Sequence, residues 1–85
     1  MNGYIDLFLA YLTVEKGLSM NTLEAYSHDM VGYIEYLSGQ CGVNEPRDIK
    51  SLHLSGFLGR LKEHGLAPRS RARVLSTVRM FHKFL

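Results

Sequence analysis

Apolar residues along this chain return every three or four positions, the spacing that gathers side chains on one side of an α-helix. Tyr4–Lys16 carries Ile5, Phe8, Leu9 and Leu12 in this register, with Asp6 near its start and Lys16 at its end, as a helix dipole favours. Gly17 is a natural stop, after which Leu18 can fold back as the apolar residue of a Schellman-type ending. Ser19 is a good N-cap for a second helix, in which Leu23, Tyr26, Met30, Tyr33, Ile34 and Leu37 repeat before an end near Gly39.

Ser38–Lys50, with Gly39, Gly42 and Pro46, lacks periodicity and reads as the one long connector. A third helix is predicted from about Ser51, as its cap, to His64, with Leu54, Phe57, Leu58 and Leu61 inward. Gly56 and Gly59 inside it each cost roughly 1 kcal/mol against alanine and suggest close packing on a neighbour. Gly65 ends that helix, and Pro68 takes the favoured first position of a fourth, Pro68–Leu85, behind Ala67, a poor cap. Its apolar arc holds Val74, Leu75, Val78, Phe81 and Leu85; Arg69, Arg73, Ser76, Arg79 and Lys83 fall opposite. No segment alternates as a strand does and no hairpin turn signal occurs. The expected fold is all-α, one domain over residues 1–85, built as two helical hairpins packed on each other.

Composition and charge sharpen this picture. With 46% hydrophobic residues the chain can form one modest core. Cys41 is the only cysteine, which excludes an internal disulfide and a cysteine-based zinc site. No apolar run approaches a membrane span, and Met1–Ala10 lacks the basic start and cleavage site of a secretory signal, so a cytoplasmic location is expected. The net charge of +2 averages two opposed regions. Before Arg60, seven acids face Lys16, Arg47 and Lys50; from Arg60 on, Arg60, Lys62, Arg69, Arg71, Arg73, Arg79 and Lys83 stand against Glu63 alone. Such asymmetry points to a polyanionic partner, although a charge run is often only a solvated face.

Specific strings carry a family resemblance. Phe8-Leu9-Ala10-Tyr11-Leu12, Lys16-Gly17-Leu18-Ser19, Asn21-Thr22-Leu23-Glu24-Ala25-Tyr26 and Asp29-Met30 resemble the start of the tyrosine recombinase (phage integrase) family, especially its Xer-type members. Gly65-Leu66-Ala67-Pro68-Arg69-Ser70 and Arg73 through Leu85 continue the resemblance, which spans nearly the whole chain and is weakest across Gly39–Lys50. It implies a SAM-like four-helix core-binding domain, joined in the parent protein to a catalytic domain that this chain lacks. It implies that helices two and four lie against double-stranded DNA, nominating Asn21, Thr22, Tyr26 and Asp29 on the former and Arg69, Arg73, Ser76 and Arg79 on the latter. Other recombinase protomers are implied as partners on DNA, with the isolated domain monomeric. Two positions depart from the family pattern: Arg71 replaces an apolar residue and Ala67 a hydroxyl cap, so the start of helix four is expected to be looser or shifted.

The residues themselves support the same face. Guanidinium groups of Arg69 and Arg73 can meet phosphates bidentately or reach guanine edges, Ser76 can bond either, and Lys83 shares their side. Thr22 and Asp29 share a flank of helix two with small Ala25 and Gly32, where a phosphate could approach. A carboxylate facing phosphates is unfavourable unless it pairs with an arginine or accepts from cytosine; Asp29 is read as orienting an arginine. Tyr26 and Tyr33 sit at the edge of the apolar arc, with their hydroxyls expected at the rim. Arg71 points partly into the arc, where its stem can cover the core edge. Arg79 could equally serve as a structural ion-pair partner.

Nothing in the chain has the arrangement that DNA cleavage needs. A nucleophilic tyrosine requires arginine, histidine and lysine gathered around it, and His28, His53, His64 and His82 are scattered, with no metal-ligand pair. No catalytic residue, cofactor, metal, membrane or small-molecule substrate is expected. The leading function is a DNA-binding module of a site-specific recombinase; a protein-docking module is the alternative, which an exposed apolar patch on helix one would favour.

Overall fold

The computed structural model describes residues Asn2–Leu85 and contains four α-helices and, among those residues, no strand. They are α1 (Asn2–Tyr11), α2 (Met20–Gln40), α3 (Ser51–Glu63) and α4 (Pro68–Phe84). The helices pair as two hairpins, α1 with α2 and α3 with α4, and α2 and α4 pack together between them. The result is a flattened body of 32 × 29 × 17 Å.

The helix ends follow local chemistry. Ser19 caps α2: its Oγ accepts from the Thr22 N–H at 3.3 Å, and its carbonyl takes the Leu23 N–H at 2.9 Å. α3 ends in a Schellman motif, with Gly65 N–H donating to the Lys62 carbonyl and Leu66 N–H to the Leu61 carbonyl, each at 3.0 Å. Gly65 supplies the left-handed turn, φ +81°, that this motif requires. α4 starts at Pro68 without displacement despite Ala67, because the fixed φ of proline preorganises the first turn. The Ala67 carbonyl already accepts the Arg71 N–H at 3.0 Å.

Several expectations are corrected. The first helix is not α-helical to Lys16: Leu12–Lys16 forms a π-helical turn that ends at Gly17 in the left-handed region. There the Thr13 hydroxyl donates to the Leu9 carbonyl at 2.9 Å, competing with the α-helical ladder at its own position. Ser51 does not cap α3. It is the first helical residue, and His53 performs half of a capping box, its Nδ1 accepting from the Lys50 N–H at 2.9 Å. The connector is tied to the core, because Val43 is buried and its N–H donates to the Leu37 carbonyl at 2.8 Å, with a 3₁₀ turn at Pro46–Asp48 beyond.

The core joins Ile5, Phe8 and Leu12 to Met30, Tyr33, Ile34 and Leu37, to Phe57, and to Val74, Val78 and Phe81. Phe8 meets Phe81 edge to face, ring centroids 5.4 Å apart, which brings α1 onto the last turns of α4. Two members of the expected arc on α4 lie off this centre: Leu75 is half-buried toward α3, and Leu85 is 47% exposed at the chain end. Thr77 takes a fully buried place instead. Of the two glycines in α3, only Gly56 has the expected close neighbour; a Cβ there would lie 2.6 Å from the Tyr36 hydroxyl, whereas Gly59 faces open space.

Candidate nucleic-acid interface

Exposure on α4 follows the pattern of its sequence. Arg69, Arg73, Ser76, Arg79 and Lys83 are all exposed, while Val74, Val78 and Phe81 turn inward. Arg71 is half-buried, as its place at the edge of the arc requires.

The polar side divides into three regions. At its centre Arg73 reaches across to α2 and grips Asp29 with two parallel hydrogen bonds, Nε to Oδ2 at 2.9 Å and Nη2 to Oδ1 at 2.8 Å. The Asp29 side chain is 2% exposed and that of Arg73 41%. Asp29 is therefore an arginine-orienting residue, and a base edge has no route to its carboxylate. The pairing pushes the Arg73 guanidinium further above its already high ordinary range, chiefly through these hydrogen bonds. On one flank Arg79 lines a groove of about 640 Å³ between α3 and α4, over Leu54, Leu58 and Leu75. On the other, Lys83 shares a depression with Lys16, Tyr11, Met80 and Phe84 beside the π-helical turn.

The residues of α2 are distributed less simply. Asn21 is exposed and Thr22 half-buried, its amide and hydroxyl both engaged with the Ser19 hydroxyl, which lies 2.9 Å from Thr22 Oγ1. Tyr26 is half-buried against the core. Tyr33 is not at the rim but fully buried, its hydroxyl 3.0 Å from His82 Nε2. Gly32 is half-buried, and a Cβ placed there would meet the Phe57 ring at an ordinary 3.8 Å.

Comparison with known proteins fixes the family. Residues 5–85 match the profile described as the phage integrase, N-terminal SAM-like domain. The chain belongs to this family. As a phage integrase N-terminal domain it is 36% identical over 85 residues to tyrosine recombinase XerD of Listeria innocua, covering 100% of this chain and 29% of the relative. XerD of Chlorobaculum tepidum is 40% identical over 81 residues, covering 95% of this chain and 26% of the relative. XerC of Chlorobaculum parvum is 32% identical over 87 residues, covering 96% and 26%. The chain thus spans less than a third of the length of these recombinases. No solved structure matches it. No described helix is long and apolar enough to cross a membrane.

Two residues of this integrase domain escape a reading of the sequence alone. Thr77 lies four residues after Arg73, donates to the Arg73 carbonyl at 2.9 Å and sits 3.5 Å from Asp29 Oδ2. A hydroxyl amid Val74, Val78 and Phe81 was the available signal. Lys16 joins Lys83 only through the fold, since 67 positions separate them and nothing local links them.

Proposed function

We propose that this chain is the DNA-binding N-terminal domain of a site-specific tyrosine recombinase. In this reading α2 and α4 lie against one duplex, and strand cleavage and rejoining belong to a separate catalytic domain of the parent. The observation that carries it is the outer side of α4, where Arg69, Arg73, Ser76, Arg79 and Lys83 are exposed together without an acid among them. Arg69 and Arg79 take part in no ion pair among the described residues, so their charge is available to phosphates. Asn21 and Thr22 serve α2 at the capped start of that helix, where backbone N–H groups attract anions. Tyr26 and Arg71 border this surface from half-buried positions, and Asp29 acts through Arg73.

Titration of the domain with a short duplex at two salt concentrations tests this reading. Binding in the range of about 10⁻⁴–10⁻⁶ M at physiological salt, tightening as salt falls, is expected. Absence of binding at low salt, or binding indifferent to salt, would sink it. Arg69→Ala should weaken binding while leaving the melting temperature in place.

A second reading has its own observation. The outward face of α1 and its π-helical turn exposes Tyr4, Leu7, Tyr11 and Val14, spaced three, four and three residues apart, with Leu7 at 60% and Val14 at 79% exposure. Gly3 and Ala10 lie exposed on the same side. An uncharged face of this kind suits a protein rather than a polyanion, and a neighbouring recombinase protomer on the same DNA is the occupant that fits the first reading.

A further inference from the structure

Arg73 differs from every other cation on the outer side of α4. Its charge is already matched by Asp29, and two of its N–H groups are held by carboxylate oxygens at 2.8 and 2.9 Å. Asp29 is itself immobilised: its side chain is 2% exposed, and Oδ2 faces both Arg73 Nε and, at 3.5 Å, the hydroxyl of fully buried Thr77. Thr77 is anchored in turn to the Arg73 carbonyl, one helical turn back. The outer edge of the guanidinium remains at the surface, with its other N–H groups unspent.

We infer that Asp29 and Thr77 are positioning residues that convert Arg73 from a free cation into a fixed, charge-neutralised hydrogen-bond donor for the duplex. The inference rests on the DNA-binding reading and refines it. A phosphate or base meeting Arg73 finds donors whose direction is set before binding, so little side-chain freedom is lost on contact. Such a contact adds geometry without adding net charge. Salt dependence of DNA binding counts the cations that displace condensed counterions, with a slope of roughly −0.9 per phosphate neutralised. Arg69 and Arg79, unpaired, belong in that count; Arg73 with Asp29 beside it does not.

The test is the slope of log affinity against log salt on one mixed-sequence duplex. Arg69→Ala should flatten the slope by about 0.9. Replacing the pair together, Arg73→Gln with Asp29→Asn, keeps the net charge and should weaken binding about tenfold, the effect of losing a hydrogen bond to a charged group, with the slope unchanged. Asp29→Asn, which frees Arg73 as a cation, should steepen the slope by about 0.9. Thr77→Val should weaken binding at constant slope, and Thr77→Ser should restore it. If the double variant flattens the slope as much as Arg69→Ala, Arg73 is an ordinary cation and the inference fails. It fails equally if Asp29→Asn lowers the melting temperature while slope and affinity stay put. Should Asp29→Asn alone not fold, the contrast between the charge-conserving double variant and Arg69→Ala still decides the matter. A parent domain that binds no DNA at low salt overturns the broader reading and this one together, a result recognisable before any variant is made.

Discussion

The Tyr33 hydroxyl on α2 lies 3.0 Å from Nε2 of His82 on α4, a part-buried polar bridge between the two central helices. Burial, with a smaller contribution from Cys41, pushes the Tyr33 hydroxyl up to about 12, so it stays protonated across the neutral range. Burial also pushes His82 below its ordinary value, favouring the neutral ring that this bond uses.

The consequence for stability has a definite sign. A histidine with a depressed folded value binds fewer protons folded than unfolded, so its contribution is fully present above about pH 6.5 and is lost as pH falls toward its folded value. Urea midpoints measured at about pH 7.5 and about pH 5.5 should show the domain weaker at the lower pH. His82→Gln, which can still accept from Tyr33 but does not titrate, should lose part of that difference. An unchanged pH dependence in the variant would remove His82 from the account. Tyr33→Phe, which leaves His82 Nε2 without its partner, should cost about 1–2 kcal/mol.

Gly56 and Gly59 separate helix propensity from packing within one helix. Gly59→Ala introduces a methyl into open space and should stabilise the domain by about 0.5–1 kcal/mol, a rise of several degrees in melting temperature. Gly56→Ala places the same methyl 2.6 Å from the Tyr36 hydroxyl, so the Tyr36 ring must shift. That ring lies 5.3 Å from Phe57 and carries Arg60 at 5.9 Å, contacts that its movement weakens. Thermal melts should show Gly59→Ala above both the parent and Gly56→Ala; equal gains at both sites would contradict the packing at Tyr36.

Phe81 is the residue through which α1 and α4 hold each other. It is fully buried and meets Phe8 at 5.4 Å. Phe81→Ala should cost about 3–5 kcal/mol. For 85 residues the total stability is expected at roughly 4–13 kcal/mol. The variant should therefore melt far below the parent, or be largely unfolded, by circular dichroism. A shift of only a few degrees would mean that the site collapses around the missing ring.

The exposed face of α1 makes the opposite prediction. Leu7→Ser combined with Val14→Ser removes apolar area without touching the core, so stability should change by no more than about 0.5 kcal/mol in a urea titration. If this face meets a neighbouring protomer, two copies on one long duplex should bind cooperatively, and the double variant should lose that cooperativity with single-copy affinity intact. Non-cooperative binding by the parent domain would leave the docking reading without support.

Much of this molecule was legible in its sequence because most of its determinants are local. The glycine stops at Gly17 and Gly65, the Ser19 cap, Pro68 at the first turn of α4 and the periodic apolar positions of α2 each act within a few residues of themselves. The exposed basic side of α4 was legible for the same reason: the basic positions share a face by helical spacing alone. The pairing of Asp29 with an arginine could be argued from charge, because a carboxylate on a flank expected to meet phosphates needs a cation.

What the sequence could not decide depended on contacts across 40 or more residues. Which arginine Asp29 holds, the burial of Thr77 beneath that pair, the union of Tyr33 with His82 and the meeting of Lys16 with Lys83 all require the packing of the helices against one another. The π-helical turn and the anchoring of Val43 also emerged only in three dimensions, since neither leaves a periodic trace. Helical periodicity determined which side of α4 is polar. Only the tertiary structure decided that its central arginine is already paired, because the distance from Arg73 to Asp29 is set by the packing of α4 on α2.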